Sequence, residues 1–214
     1  MITQYDLIIF DWDGTLVDSI DWIVECIQTI AKHQGIDQPS QQACKDIIGL
    51  SLSEAMVTLF PELSDDEKIA MVAAYREVYL AKKISTKDLF VDTLPTLEKL
   101  KQMGKTLAVA TGKGQSGLDR SLDGTGLRPY FDHLRCAEKM QSKPSPHMLF
   151  DILDESGIQP DKAIMIGDST LDLKMANNAG VSSIGVTTGA HSHEILSKQM
   201  PVACINNLME IFEG

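Results

Sequence analysis

Paired cysteines, long apolar runs and surplus positive charge are all missing from this sequence. The four cysteines, Cys26, Cys44, Cys136 and Cys204, are scattered and form no Cys-x-x-Cys pair. Metal-thiolate and redox readings are therefore weak, and reduced thiols in a cytoplasmic protein are the better one. No basic stretch opens the chain, and its first apolar run, 7–10, stops at Asp11. Neither a signal peptide nor a membrane span is expected. Basic residues number 19 against 30 acidic ones, for a formal net charge of -11. Such a field repels nucleic acid and anionic membranes, so neither is expected as a partner. Repeats and low-complexity stretches are absent too, and nothing in the sequence bears on oligomeric state.

What is present is ordinary globular material. The 214 residues are 43% hydrophobic and 23% charged, enough for one large domain or for a core carrying a smaller inserted one. Residues 7–10 form a continuous apolar run, the pattern of a strand buried on both faces of a parallel sheet. Similar runs occur at 107–110, 131–136, 163–166 and 183–186. Helical patterns separate them, one opened by Pro95 and closed by Gly104, another begun at Ser145-Pro146 and ended by Gly157. This alternation predicts an α/β, doubly wound parallel sheet.

Residues 19–84 break the rhythm. Ile20, Ile23, Val24, Ile27, Ile30 and Ala31 make one apolar stripe at helical spacing. Ser51-x-x-Glu54 and Ser64-x-x-Glu67 read as capping boxes, the second opening a helix through Ile69, Val72, Tyr75 and Tyr79. An all-helical module is thus expected at 17–86, with the α/β core made of 1–16 and 87–214.

Four segments carry chemistry. Asp11-Trp12-Asp13-Gly14-Thr15 follows the first strand directly, which puts two carboxylates at the sheet edge where such folds bind ligands. Close carboxylates repel unless a cation or a shared proton relieves them. Thr111-Gly112-Lys113 follows the second strand, and a hydroxyl with fresh N–H groups there suits a phosphate oxygen, although threonine is also an ordinary helix cap. Lys143 precedes Pro144, which restricts it to extended conformations; its alternative reading is a solvated loop lysine. Gly167-Asp168-Ser169-Thr170-Leu171-Asp172 adds two further carboxylates. Asp11, Asp13, Asp168 and Asp172 together would make an oxygen-only site of the kind that suits Mg²⁺. A competing pattern, Gly112-Lys113-Gly114-Gln115-Ser116-Gly117 with Glu138 downstream, matches a dinucleotide fingerprint. That fingerprint belongs in the first strand-to-helix turn, which Asp11 and Asp13 occupy.

DWDGT, TGK, KP and GDSTLD, in this order, resemble the four signature motifs of the haloacid dehalogenase-like hydrolase superfamily. The helical insert resembles its small C1-type cap. Phosphoglycolate phosphatase-like and β-phosphoglucomutase-like members look most similar, and the second aspartate, Asp13, argues against the dehalogenase branch. The resemblance implies a Mg²⁺-dependent phosphatase of a small phosphorylated metabolite. Asp11 would be the nucleophile and Asp13 the general acid–base, its backbone carbonyl joining Asp11 and Asp168 on the cation. Thr111, Gly112 and Lys143 would hold the phosphoryl oxygens, with Asp172 on the metal directly or through water. A phosphomutase is the alternative within the class; a non-catalytic nucleotide-binding or regulatory relative lies outside it. The cap would hinge near 15–19 and 84–90 and bring the loop 44–49 to the site. Lys45 is the candidate for a second anionic group on the substrate. His191-Ser192-His193 is read as helix capping rather than a metal site.

Overall fold

The computed structural model describes residues 1–213. Six parallel strands form one sheet: β1 (Leu7–Phe10), β2 (Thr106–Thr111), β3 (His133–Cys136), β4 (Ala163–Gly167), β5 (Ser182–Val186) and β6 (Ala203–Ile205). They lie in the order β3-β2-β1-β4-β5-β6. Chain order reverses at β1, whose two neighbours are β2 and β4, and the crevice above such a switch point is where doubly wound sheets bind ligands.

Side-chain alternation along each strand divides the core. Ile8 and Phe10 face a cluster with Val109, Ile166, Leu97 and Leu118. Leu7 and Ile9 face the opposite cluster with Ala108, Met165, Leu149 and Met175. Both faces are covered by helices, which explains why β1 is buried along its whole length. Each such aliphatic side chain contributes about 1.5–3 kcal/mol on burial.

Between β1 and β2 stand four helices: α1 (Ile20–His33), α2 (Gln41–Asp46), α3 (Leu52–Leu59) and α4 (Asp65–Ala81). They bury an apolar cluster of their own around Ile27, Ile30, Cys44, Met56 and Met71. Ser64 and Glu67 form a complete capping box on α4. The Ser51 box is only half made: Ser51 Oγ accepts from the Glu54 N–H, but the Ser51 N–H donates instead to Ser142 Oγ at 2.7 Å, across to the sheet lobe. On α4 the buried positions are Met71 and Tyr79, whereas Ile69 is 66% exposed. Ile69 lies two residues before Met71, about 200° around the helix from it.

The remaining helices are α5 (Thr93–Gln102), α6 (Gln115–Thr125), α7 (His147–Ser156), α8 (Thr170–Ala179) and α9 (His193–Ser197). α5 starts two residues before Pro95, which the first turn tolerates because its amide would have no helical partner. The two connections into the helical lobe run side by side. Val17 pairs antiparallel with Leu89, and the Asp18 N–H donates to Asp88 O at 2.8 Å. Among the described residues no helix is long and apolar enough to cross a membrane.

Candidate active site

Parallel register brings the chemistry-bearing segments to one level. Phe10 pairs with Val109 on one side and Ile166 on the other, so Asp11, Thr111 and Asp168 leave the sheet within two residues of each other. The Asp11 N–H still donates to Ile166 O at 2.9 Å. The chain then turns back tightly. Leu16 and Val17 N–H groups both donate to Trp12 O, and Gly14 takes a positive φ of 76°. A side chain at Gly14 would also run into the Asp168 carboxylate, so both backbone and space require glycine.

Asp11, Asp168 and Asp172 each offer a carboxylate oxygen within 4.8 Å of the others, and all three are buried. Lys143 is 1% exposed. Its ammonium lies 2.7 Å from Asp11 Oδ1 and donates to Asp172 Oδ1 at 2.6 Å. That burial excludes a solvated loop lysine. Burial works against the charge on Lys143, but Asp11 and Asp172 outweigh it and hold the ammonium above its usual range.

The donor set is uneven. Asp172 is fully committed, since Oδ2 accepts from both the N–H and the hydroxyl of Ser169 while Oδ1 takes Lys143. Asp168 accepts from Thr15 Oγ1 at 2.9 Å and from the Ala190 N–H at 2.7 Å. Asp11 Oδ1 is buried without an aligned hydrogen-bond donor. Burial pushes the Asp11 carboxyl up to about 7, with Lys143 opposing and Asp172 and Asp13 adding to the rise. Burial, then Asp172 and Asp11, raises Asp168 well above its usual range. Three close, buried carboxylates beside one ammonium leave negative charge in excess, and an oxygen-only cluster of this kind fits a divalent cation.

Asp13 faces elsewhere. Its Oδ1 accepts from Ser19 Oγ at 2.6 Å and its Oδ2 lies 3.0 Å from Lys113 Nζ. Its side chain is therefore outside the three-carboxylate cluster and on the side toward the helical lobe. Lys113 also donates to the Tyr79 hydroxyl of α4 at 2.7 Å. Burial opposes the Lys113 charge, but Asp13 and then Tyr79 raise it above the usual lysine range.

Thr111 ends β2 and does not cap α6, whose N-cap is Gly114. Gly112 packs so closely beneath the carbonyls of Gly49 and Leu50 that a side chain there would displace them. The dinucleotide pattern is filled from within the chain: Glu138 Oε2 accepts the Gln115 N–H at 2.6 Å, at the start of α6 where a pyrophosphate would sit.

A cavity of about 190 Å³ joins the two lobes, lined by Asp11, Asp13, Thr111 and Gly112 from below. From above come Ile47, Ile48 and Gly49, part of the loop expected to reach the site, but not Lys45. Lys45 stays half-buried on α2, and the helical lobe's cation at the cavity is Arg76. His191 is likewise more than a cap neighbour. It is buried, its Nδ1 accepts from the Thr170 N–H at 3.1 Å, and its Nε2 lies 3.3 Å from Asp46 on α2.

A profile of the haloacid dehalogenase-like hydrolases matches residues 8–186. The chain belongs to that family. It is 34% identical over 210 residues to the "Probable phosphatase IndB" of Dickeya dadantii, covering 96% of this chain and 91% of that one. A phosphoglycolate phosphatase of Vibrio parahaemolyticus is 30% identical over 223 residues, covering 99% and 97%. Among solved structures, a haloacid dehalogenase-like family hydrolase from Streptococcus pneumoniae superposes with a TM-score of 0.81 at 26% identity, covering 98% and 97%. The doubly wound sheet and the helical insert are therefore a hydrolase scaffold.

Proposed function

We propose that this hydrolase is a Mg²⁺-assisted phosphatase of a small phosphorylated metabolite, with Asp11 as the nucleophile. The observation that carries it is Asp11 Oδ1, buried without an aligned donor and held 2.7 Å from a fully buried ammonium. Asp11 and Asp168 would hold the cation, Asp13 contributing its backbone carbonyl by family resemblance. Asp172, its side-chain oxygens already engaged, would stand behind Lys143. The cation would neutralise the carboxylates and lower the repulsion between Asp11 and an incoming phosphate.

The residues then divide the work. An Asp11 oxygen attacks phosphorus in line, the ester P–O bond breaks, and Asp13 gives its proton to the departing alcohol oxygen. A water next yields a proton to Asp13 and attacks the aspartyl-phosphate, releasing phosphate and restoring Asp11. Acid–base help of this sort is worth roughly 10²–10⁴-fold. Thr111, the Gly112 amide and Lys143 would stabilise the non-bridging oxygens. The helical lobe would be the lid, hinged where residues 17 and 89 pair, and its closure would exclude water.

The cations at the cavity are each paired with a carboxylate, which favours hydrolysis over a mutase that must also hold a second phosphoryl group. Assay with p-nitrophenyl phosphate and Mg²⁺ tests the reading. Release that falls at least about 10³-fold in Asp11→Asn is expected; release indifferent to that change would overturn it.

A further inference from the structure

The cavity wall beyond the reacting groups says what kind of alcohol leaves. Its helical-lobe side is mostly apolar, with Ile23, Ile27, Ile48, Leu52 and Met56 beside Tyr75, and carries Ser51, Ser53 and Arg76 as well. Cations are near, but each already has a carboxylate. Lys143 lies between Asp11 and Asp172, Lys113 lies against Asp13, and Arg76 sits 3.8 Å from Glu138 with its side chain 58% exposed. Lys45, the remaining candidate, does not line the cavity. A second anionic group on the substrate would have to leave water for a mostly apolar wall and compete with Glu138 for Arg76, which is unfavourable.

The same wall has something to offer a neutral group. Tyr75 stacks on Tyr79 with ring centroids 5.6 Å apart and 18° between planes. Tyr75 lines the cavity, and its hydroxyl has no hydrogen-bond partner among the described residues. Burial, then Tyr79 and Asp13, raises this phenol well above its usual range, so it stays a donor. The space, about 190 Å³ with the phosphoryl end included, is on the scale of one ring, since an apolar cavity of about 150 Å³ suffices for benzene.

We propose that the alcohol released is neutral, largely apolar and about the size of one ring, with an oxygen or nitrogen acceptor for Tyr75. This rests on the phosphatase reading of the site and narrows it away from phosphoglycolate, whose leaving group carries a carboxylate.

The full-length chain with Mg²⁺ would be assayed on benzyl phosphate and phosphoglycolate, both esters of primary alcohols. Acetyl phosphate, which asks little of the wall, serves as the reference. Benzyl phosphate should exceed phosphoglycolate in kcat/KM by at least about tenfold, in line with what apolar pockets discriminate. Leu52→Lys, at a half-buried wall position that tolerates a long side chain, should shift that ratio at least about tenfold toward phosphoglycolate. Acetyl phosphate turned over with phosphoglycolate equal to or better than benzyl phosphate overturns the leaving-group proposal and leaves the phosphatase reading standing. Failure on all three substrates overturns the phosphatase reading and this proposal with it.

Discussion

Lys143 shows most clearly how one residue is made functional by its surroundings. It lies in the loop before α7, yet its ammonium has no exposure and two carboxylates within 2.7 Å. Replacing it with methionine preserves the stem and removes the charge, leaving Asp11 and Asp172 to repel each other. Breaking a buried pair in this way costs about 3–5 kcal/mol. Lys143→Met should therefore lower the melting temperature of the metal-free protein and reduce kcat by at least about 10²-fold. A mild effect on both thermal melting and turnover would contradict the assignment. From the sequence, Lys143 is ambiguous: the Lys-Pro dipeptide fixes the backbone but says nothing about burial. Its meaning comes from Asp172, which is 29 residues away and sits on the same edge only because β4 pairs with β1.

At the scale of elements, continuous apolar runs identify β1, β2 and β4 because strands buried on both faces have no polar side to disguise them, whereas β5 is equally buried but carries serines and a glycine. β6 is not legible. It has three residues, two of them half-exposed, and is recognisable only by its pairing with β5. The contacts between lobes are equally hidden, since Tyr79 meets Lys113 and Asp46 meets His191 through distant parts of the chain. Gly112 offers a test of the interface. Its missing side chain admits the Gly49 and Leu50 carbonyls of the lid loop, so Gly112→Ala should push that loop away without touching the sheet core. A displacement of about 1 Å at a reacting centre can cost 10²-fold in rate. A fall of that order in kcat/KM, with a circular-dichroism melt changed by no more than a few degrees, is the expected result. Unchanged kinetics would mean that the lid loop stands elsewhere during turnover.

Across the whole molecule acidic residues are in excess, for a net charge of -11, and three of the carboxylates are buried together beside one ammonium, which makes stability depend on pH and metal together. Asp11 is raised to about 7 from an ordinary value of 3.8. A group raised on folding favours the folded state below its unfolded value, and that contribution is lost as pH climbs through the folded value. Metal-free protein should thus lose stability between about pH 4 and 7 on account of Asp11, and Asp168 acts in the same sense. Carboxylates lowered by their partners, such as Asp88 and Asp132, act in the opposite sense, but only as pH falls toward their own range. They leave the window from pH 5.5 to 8 to the raised pair Asp11 and Asp168. Mg²⁺ bound at this cluster should therefore raise the melting temperature more at pH 8 than at pH 5.5, where protons compete for the same oxygens. For a chain of this size each kcal/mol corresponds to roughly 2–4 °C, so the difference between the two increments should reach a few degrees. Asp11→Asn should raise the metal-free melting temperature at pH 8 and shrink that difference. Equal Mg²⁺ increments at both pH values in scanning fluorimetry would dissociate the cation from Asp11, and with it the account of how an acidic protein accepts a phosphate dianion.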